Sequence, residues 1–285
     1  MIPRSYLYVP GNDSAKLARA AERGADALIV DLEDAVPPTA KAEARAIVAE
    51  WLASDRLPAD GPEIWVRVNP GPTGHEDVHA VLGPRVRGVV AAKTESADEL
   101  SALVEQIDRA EAAAGIPAGT VGVAPLLESA SALLAAREIA AVGRVVRLQL
   151  GEADLAADLG MSPSPDGAEW DPIRTQLVVV SAAAGIGAPV GPVSTDFRDL
   201  DRFAASTRAL ARRGYVGRAC IHPAQVAVVN EVFTPAPDEV AWAREVIRLM
   251  DEAVSRGVGV VVGPDGRMVD EAVVRRARRV IGLAR

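Results

Sequence analysis

Two stretches of the chain run apolar and then stop abruptly at a carboxylate. In residues 148–160, Leu148 and Leu150 continue a strand-like run begun by Val145 and Val146, Gly151 frees the turn, and Glu152 and Asp154 follow at once. Leu155, Ala156 and Leu159 then recur at helical spacing up to Gly160, which predicts a helix with a glycine stop. In residues 121–131, Val123, Pro125, Leu126 and Leu127 run into Glu128, and an alanine-rich helix is expected over 129–139. A single acid after a strand is ordinarily a helix cap or a first-turn charge. Two of them, on neighbouring strands, can instead share a rim and offer paired oxygens to one ligand.

The rest of the chain repeats the same strand-then-helix unit. Strands are expected at 5–9, 27–32, 64–68, 88–92, 189–193 and 216–221 besides the two above, and helices at 39–52, 132–141, 172–184 and 199–213 among others. About eight such alternations predict an α/β chain with a parallel sheet closed into a (β/α)8 form, the TIM barrel. An open doubly wound sheet is the alternative, but no Gly-x-Gly-x-x-Gly opens the first helix. Residues 1–235 are read as the barrel and 236–285 as a C-terminal helical extension, with helices at 238–256 and 271–283 around the segment Met268-Val269-Asp270. Barrels keep their reacting groups at the C-terminal strand ends. Glu33, Asp34, Arg67, Lys93, Glu128, Asp154 and Asp196 all fall there.

Composition narrows the function. With 285 residues, 49% of them hydrophobic, the chain can bury one large core. Its net charge of −8, with acids and bases interspersed, argues against a nucleic-acid or membrane-surface partner. The single cysteine, Cys220, excludes an internal disulfide framework and a cysteine-ligated zinc site, and suits a reducing compartment. No apolar run of signal-peptide length precedes Asn12-Asp13-Ser14, so export is not expected and the cytoplasm is.

Several other signals invite chemistry. His75-Glu76-Asp77-Val78-His79 matches His-Glu-x-x-His by letter, which on a helix would place two imidazoles together for zinc. The motif begins in a proline- and glycine-rich stretch, read as a loop, and the only other histidine, His222, belongs to a distant strand. His222 could be a general base or a structural turn residue. Lys93 could form a Schiff base or make an electrostatic contact to an anion. No serine sits in a Gly-x-Ser-x-Gly elbow. The carboxylate pair Glu128 and Asp154 suits magnesium, which keeps several waters and needs only one or two protein carboxylates. Such an ion polarises the oxygens of a 2-oxo acid, and Arg67 from a nearby strand could hold a carboxylate or a developing enolate oxygen.

These residues also carry a resemblance. Arg4-Ser5-x-Leu7-Tyr8-Val9-Pro10-Gly11, Asp31-Leu32-Glu33-Asp34-Ala35-Val36, Val66-Arg67-Val68-Asn69, Glu128-Ser129-Ala130, Asp154-Leu155-Ala156-Ala157-Asp158-Leu159-Gly160 and Ile221-His222-Pro223-x-Gln225 resemble the citrate lyase beta-subunit-like proteins of the HpcH/HpaI aldolase superfamily. The resemblance implies a magnesium-dependent TIM barrel acting on acyl-CoA thioesters, as a homo-oligomer such as a trimer or hexamer. It places Glu128 and Asp154 on the metal ligands and Arg67 on the substrate-binding arginine. Met268-Val269-Asp270 is similar to a C-terminal segment that supplies a catalytic aspartate. Lys93 is then expected against the substrate, with Glu33 and Asp34 behind the ligands.

The chain departs from that pattern at three places, one of them the strand end Ala92-Lys93, where Pro-Lys is usual. It has Gly151-Glu152-Ala153-Asp154 where Gly-Ala-Glu-Asp is more usual, so the first acid is displaced, and Ala132 stands where a glycine would let backbone approach a substrate carboxylate. The reading that results is a magnesium-dependent CoA-ester lyase cleaving or forming a carbon–carbon bond in a 3-hydroxy-3-carboxyacyl-CoA, such as malyl- or citramalyl-CoA, to give acetyl-CoA and a small 2-oxo acid. The alternatives are a CoA-independent 2-oxo acid aldolase and the beta subunit of an acyl-carrier-protein-dependent citrate lyase complex.

Overall fold

A computed structural model describes residues 2–55 and 57–284, which form two compact units, Pro3–Asn230 and a second beginning at Glu231. Among the described residues of the first unit, eight parallel strands close into a barrel in sequence order. They are β1 (Ser5–Pro10), β2 (Ala27–Asp31), β3 (Glu63–Val68), β4 (Val86–Ala91), β5 (Gly122–Leu127), β6 (Gln149–Leu150), β7 (Val190–Gly191) and β8 (Gly217–Cys220). The open-sheet alternative is excluded by the pairing of β1 with β8, from Ser5 beside Arg218 to Leu7 beside Cys220. Helices α1 (Ser14–Ala20), α2 (Lys41–Ala53), α3 (Gly71–Val81) and α4 (Ala97–Ala114) follow the first four strands. After β5 come α5 (Ala130–Leu134) and α6 (Ala136–Ala140), after β6 come α7 (Glu152–Asp158) and α8 (Asp171–Ala183), and α9 (Leu200–Arg213) and α10 (Pro223–Val232) complete the set.

Strand periodicity decides what faces inward. Ile29, Trp65, Val90, Leu126, Val190 and Ala219 share one buried cluster inside the barrel, while Leu28, Val30, Val66 and Val123 alternate with these inward positions and are fully buried outside it. Each such aliphatic side chain contributes about 1.5–3 kcal/mol on leaving water. Trp65 is accommodated because its β4 neighbour is Gly88, where any Cβ would collide with the indole. The same alternation turns an inward apolar residue into an inward polar one, two residues on, at the C-terminal end of three strands. Ile29 leads to Asp31, Trp65 to Arg67 and Leu126 to Glu128.

Three local expectations are corrected. Residues 71–81 form α3, not a loop, because Pro72 lies in the first turn, where a missing N–H breaks no helical bond. The alanine-rich helix after Glu128 is broken between α5 and α6 at Ala135, which has φ −87° and ψ 5°. The strands expected over 145–150 and 189–193 pair as ladders only at β6 and β7, with an isolated bridge from Val123 to Val145.

In the second unit, α11 (Pro237–Val254) and α12 (Glu271–Leu283) enclose Val246, Met250, Val274 and Ala277. The glycine-rich segment between them folds as an antiparallel hairpin of β9 (Val261–Val262) and β10 (Met268–Val269), whose Val269 joins that core. No helix among the described residues is long and apolar enough to cross a membrane.

Candidate active site

A cavity of ≈ 460 Å³ opens at the C-terminal strand ends, and its lining includes Asp31, Arg67, Glu128, Gln149 and Asp154. Arg67 is fixed from three directions. Its Nε and Nη2 donate to Oδ1 and Oδ2 of Asp31 at 2.7 and 2.6 Å, its Nη1 lies 3.1 Å from Glu33, and its guanidinium stands over the Tyr8 ring at 5.1 Å. Tyr8 in turn accepts a bond from Gln149 at 3.1 Å. Burial would strip the arginine of its charge, but Asp31 holds it firmly protonated.

Lys93 follows β4 in the left-handed region, with φ 49°, an uncommon conformation for a side chain of its size. That backbone turn lets it serve three carboxylates. Its N–H donates to Glu128 Oε2 at 3.2 Å, while its Nζ pairs with Glu33 and, at 3.0 Å, with Asp34. Burial opposes the ammonium charge, but the two carboxylates raise its pKa above the ordinary lysine value. An ammonium so held is a poor Schiff-base nucleophile. Burial raises Glu33 above its usual range, and Asp34, despite its own partial burial, is held below its range by bonds from Glu33 and Lys93.

Glu128 is 6% exposed at the end of β5. Burial, reinforced by the negative charges of Asp154 and Glu33, pushes its carboxyl up to about 7. Gly151 makes room for it, since a Cβ there would lie 2.5 Å from Glu128 Oε1. Asp154 sits in the first turn of α7, exposed to the same cavity. In and beside this cavity the carboxylates of Asp31, Glu33, Asp34, Glu128 and Asp154 outnumber the cations Arg67 and Lys93 that pair with them, a surplus of negative charge that a divalent cation would offset. Among the described residues no cluster of three or more His, Cys, Asp or Glu side chains is arranged to hold a metal. Two carboxylates beside open space fit magnesium, which retains much of its water, better than a fully protein-ligated ion.

The remaining sequence signals resolve elsewhere. His75 and His79 lie on α3, but Glu76 pairs with Arg45 at 2.8 Å and His79 meets Gln106 at 3.1 Å. His222 Nδ1 accepts from the Ala224 N–H at 3.2 Å and its ring stacks on Phe197, while the buried Gln225 accepts from the Ile221 and His222 N–H groups. The Ile-His-Pro-x-Gln stretch is therefore a turn lock. Asp196 accepts from the Arg198 and Asp199 N–H groups, and Glu152 takes two bonds from Arg174. Burial pushes the Cys220 thiol up to about 12. In the second unit Asp270 caps α12, its Oδ1 accepting from Ala272 and Val273 at 2.9 and 3.1 Å. Sequence reading missed Asp31, Tyr8 and Gln149. The period-two step from Ile29 was the signal that could have found Asp31.

Residues 4–223 match the family HpcH/HpaI aldolase/citrate lyase. Citrate lyase subunit beta of Leuconostoc mesenteroides subsp. cremoris is 34% identical over 99% of this chain and 93% of its own length. The L-malyl-CoA/beta-methylmalyl-CoA lyase of Cereibacter sphaeroides is 33% identical over 99% of this chain and 94% of its own. The crystal structure of CitE from Mycobacterium tuberculosis, in complex with magnesium, acetoacetate and coenzyme A, superposes with a TM-score of 0.76 at 29% identity, covering 99% of this chain and 97% of that one. Barrel, rim chemistry and full-length similarity agree: the chain is a lyase belonging to the HpcH/HpaI aldolase/citrate lyase family.

Proposed function

We propose that the protein is a magnesium-dependent CoA-ester lyase that cleaves or forms a carbon–carbon bond in a 3-hydroxy-3-carboxyacyl-CoA, such as malyl- or citramalyl-CoA. The observation that carries this reading is the convergence of Glu128, Asp154 and Arg67 on one cavity. Glu128 and Asp154 would hold the magnesium, which supplies a Lewis acid for the oxygens of the 2-oxo acid. Relatives named malyl-CoA lyase and a neighbour crystallised with magnesium and coenzyme A support the choice of cofactor and substrate class.

The chain's own groups then divide the work. Arg67, locked by Asp31, presents a fixed positive charge to the reacting oxygens. Lys93 adds a second charge at the rim, and Glu33 and Asp34 set its direction. In the cleavage direction the C3 hydroxyl loses its proton to a base and the C2–C3 bond breaks. Its electron pair passes to the thioester as an enolate, which takes a proton at C2 to become acetyl-CoA, leaving the 2-oxo acid. We assign the base to Asp270 on the resemblance of its segment. Both of its capping bonds fall on Oδ1, so Oδ2 takes no part in the cap. We place the enzyme in the cytoplasm as a homo-oligomer, a trimer or hexamer.

The test is a panel of CoA thioesters incubated with the purified protein and magnesium and read by mass spectrometry. Acetyl-CoA and a 2-oxo acid from one of them is the expected result. Turnover of free hydroxy acids alone would instead select the CoA-independent aldolase. A second reading, a subunit acting on a carrier-protein thioester, is favoured by the Leuconostoc relative. It predicts no turnover of any CoA ester by the isolated chain.

A further inference from the structure

Helix α7 carries Asp154 but has little of its own to hold it in place. It is seven residues long and starts at Gly151 with no side-chain cap, and a helix of that length does not persist unaided. Among the described residues no hydrogen bond or ion pair fixes the Asp154 carboxylate, so its position follows from that of the helix. Leu155, fully buried, anchors one face. Two polar contacts fasten the ends. At the start, Glu152 receives Arg174 Nε and Nη2 from α8 at 2.6 and 2.8 Å, with both side chains largely buried. At the finish, Asp158 Oδ2 accepts the backbone N–H of Ala130 at 2.8 Å.

The second contact reaches the other carboxylate. Ala130 stands two residues after Glu128, and Asp154 and Asp158, four apart on α7, share a face. The Gly151 N–H bonded to the Leu127 carbonyl at 2.9 Å ties the two segments before the carboxylates, and the Ala130–Asp158 bond ties them again beyond. We propose that Asp158, with the Glu152–Arg174 pair, is a positioning device that sets the separation of Glu128 and Asp154 and so the affinity of the site for a divalent cation. The displaced acid of the Gly151-Glu152-Ala153-Asp154 stretch acquires a role in this way, as the partner of Arg174. The proposal rests on the magnesium reading above.

Calorimetric titration of the metal-free, full-length protein with magnesium chloride tests it. Asp158→Ala and Glu152→Gln are expected to weaken magnesium binding by ~10-fold or more, the usual scale for a group that orients a metal ligand. Asp158→Asn, whose amide oxygen still accepts from Ala130, is expected to recover most of the affinity. Because Asp158 is exposed, the metal-free melting temperature of Asp158→Ala should stay close to wild type, which separates positioning from simple unfolding. Glu128→Gln is the control. Loss of binding in Glu128→Gln together with wild-type affinity in Asp158→Ala overturns the positioning device alone. Wild-type affinity in Glu128→Gln overturns the magnesium reading and the device with it.

Discussion

Asp31 grips Arg67 along one edge of its guanidinium, Nε to Oδ1 and Nη2 to Oδ2, across a register pair of β2 and β3. Both side chains are largely buried, so the fork has one orientation, and only its Nη1 end is turned towards Glu33 and Asp34. Arg67→Lys keeps the charge and loses the fork. We expect kcat/KM for the CoA thioester to fall by ~10²-fold, the scale of losing one preorganised donor. Steady-state kinetics beside thermal melts check this, with the melts expected to show a retained fold.

Glu128 gives the metal-free protein a pH dependence whose sign can be worked out. Its folded pKa of about 7 lies above the ordinary 4.5, through burial first and the charges of Asp154 and Glu33 second. Folding is therefore favoured by this group below pH 4.5, and that contribution, on the order of 3 kcal/mol, is lost as pH rises through 7. Metal-free protein should melt at a lower temperature at pH 8 than at pH 6. Magnesium should restore the loss, and Glu128→Gln should be both flatter with pH and indifferent to magnesium. Calorimetric scans in chelator, with and without added magnesium, read all three.

The barrel was legible because its grammar is local. The strands β1 to β5 announce themselves by period, as do the helices after β1, β2 and β4, and the apolar runs that stop at Glu128 and Asp154 mark a rim before any geometry is known. What escaped was pairing. Asp31 reads as one more acid in Asp31-Leu32-Glu33-Asp34 until the register sets it beside Arg67, and Tyr8 reads as a core aromatic until the guanidinium is seen above it. Glu152 reads as a displaced acid in the Gly151-Glu152-Ala153-Asp154 stretch, whereas Arg174, twenty-two residues later, claims it. The left-handed backbone at Lys93 has no sequence signature, since lysine has no preference for that region.

Lys93 offers a prediction against covalent catalysis. Its ammonium is held by Glu33 and Asp34 and stays charged across the working pH range. Borohydride added during turnover with a 2-oxo acid should leave no adduct on the protein by intact-mass spectrometry. A stable mass increase mapped to Lys93 would put a Schiff base back into the mechanism.

Asp270 separates a cap from a base. An N-cap aspartate is worth ~1 kcal/mol to its helix, and Asn caps about as well. Asp270→Asn is therefore expected to keep its melting temperature and substrate binding while losing turnover by ~10²-fold or more. Mixing inactive Asp270→Asn with inactive Asp154→Asn and allowing subunits to exchange should restore part of the activity if the segment serves a neighbouring copy. Wild-type turnover in Asp270→Asn would leave the residue as a cap and nothing more.

The central claim is that Glu128 and Asp154 together hold the magnesium on which turnover depends. The most direct measurement is magnesium binding by calorimetry on chelator-treated wild type, Glu128→Gln and Asp154→Asn, with cleavage of the active CoA thioester followed on the same samples. The account predicts that wild type binds magnesium and regains turnover with it, and that both variants fold but do neither. Full turnover by wild type in excess chelator, or magnesium-dependent turnover at the wild-type level in either variant, would contradict it.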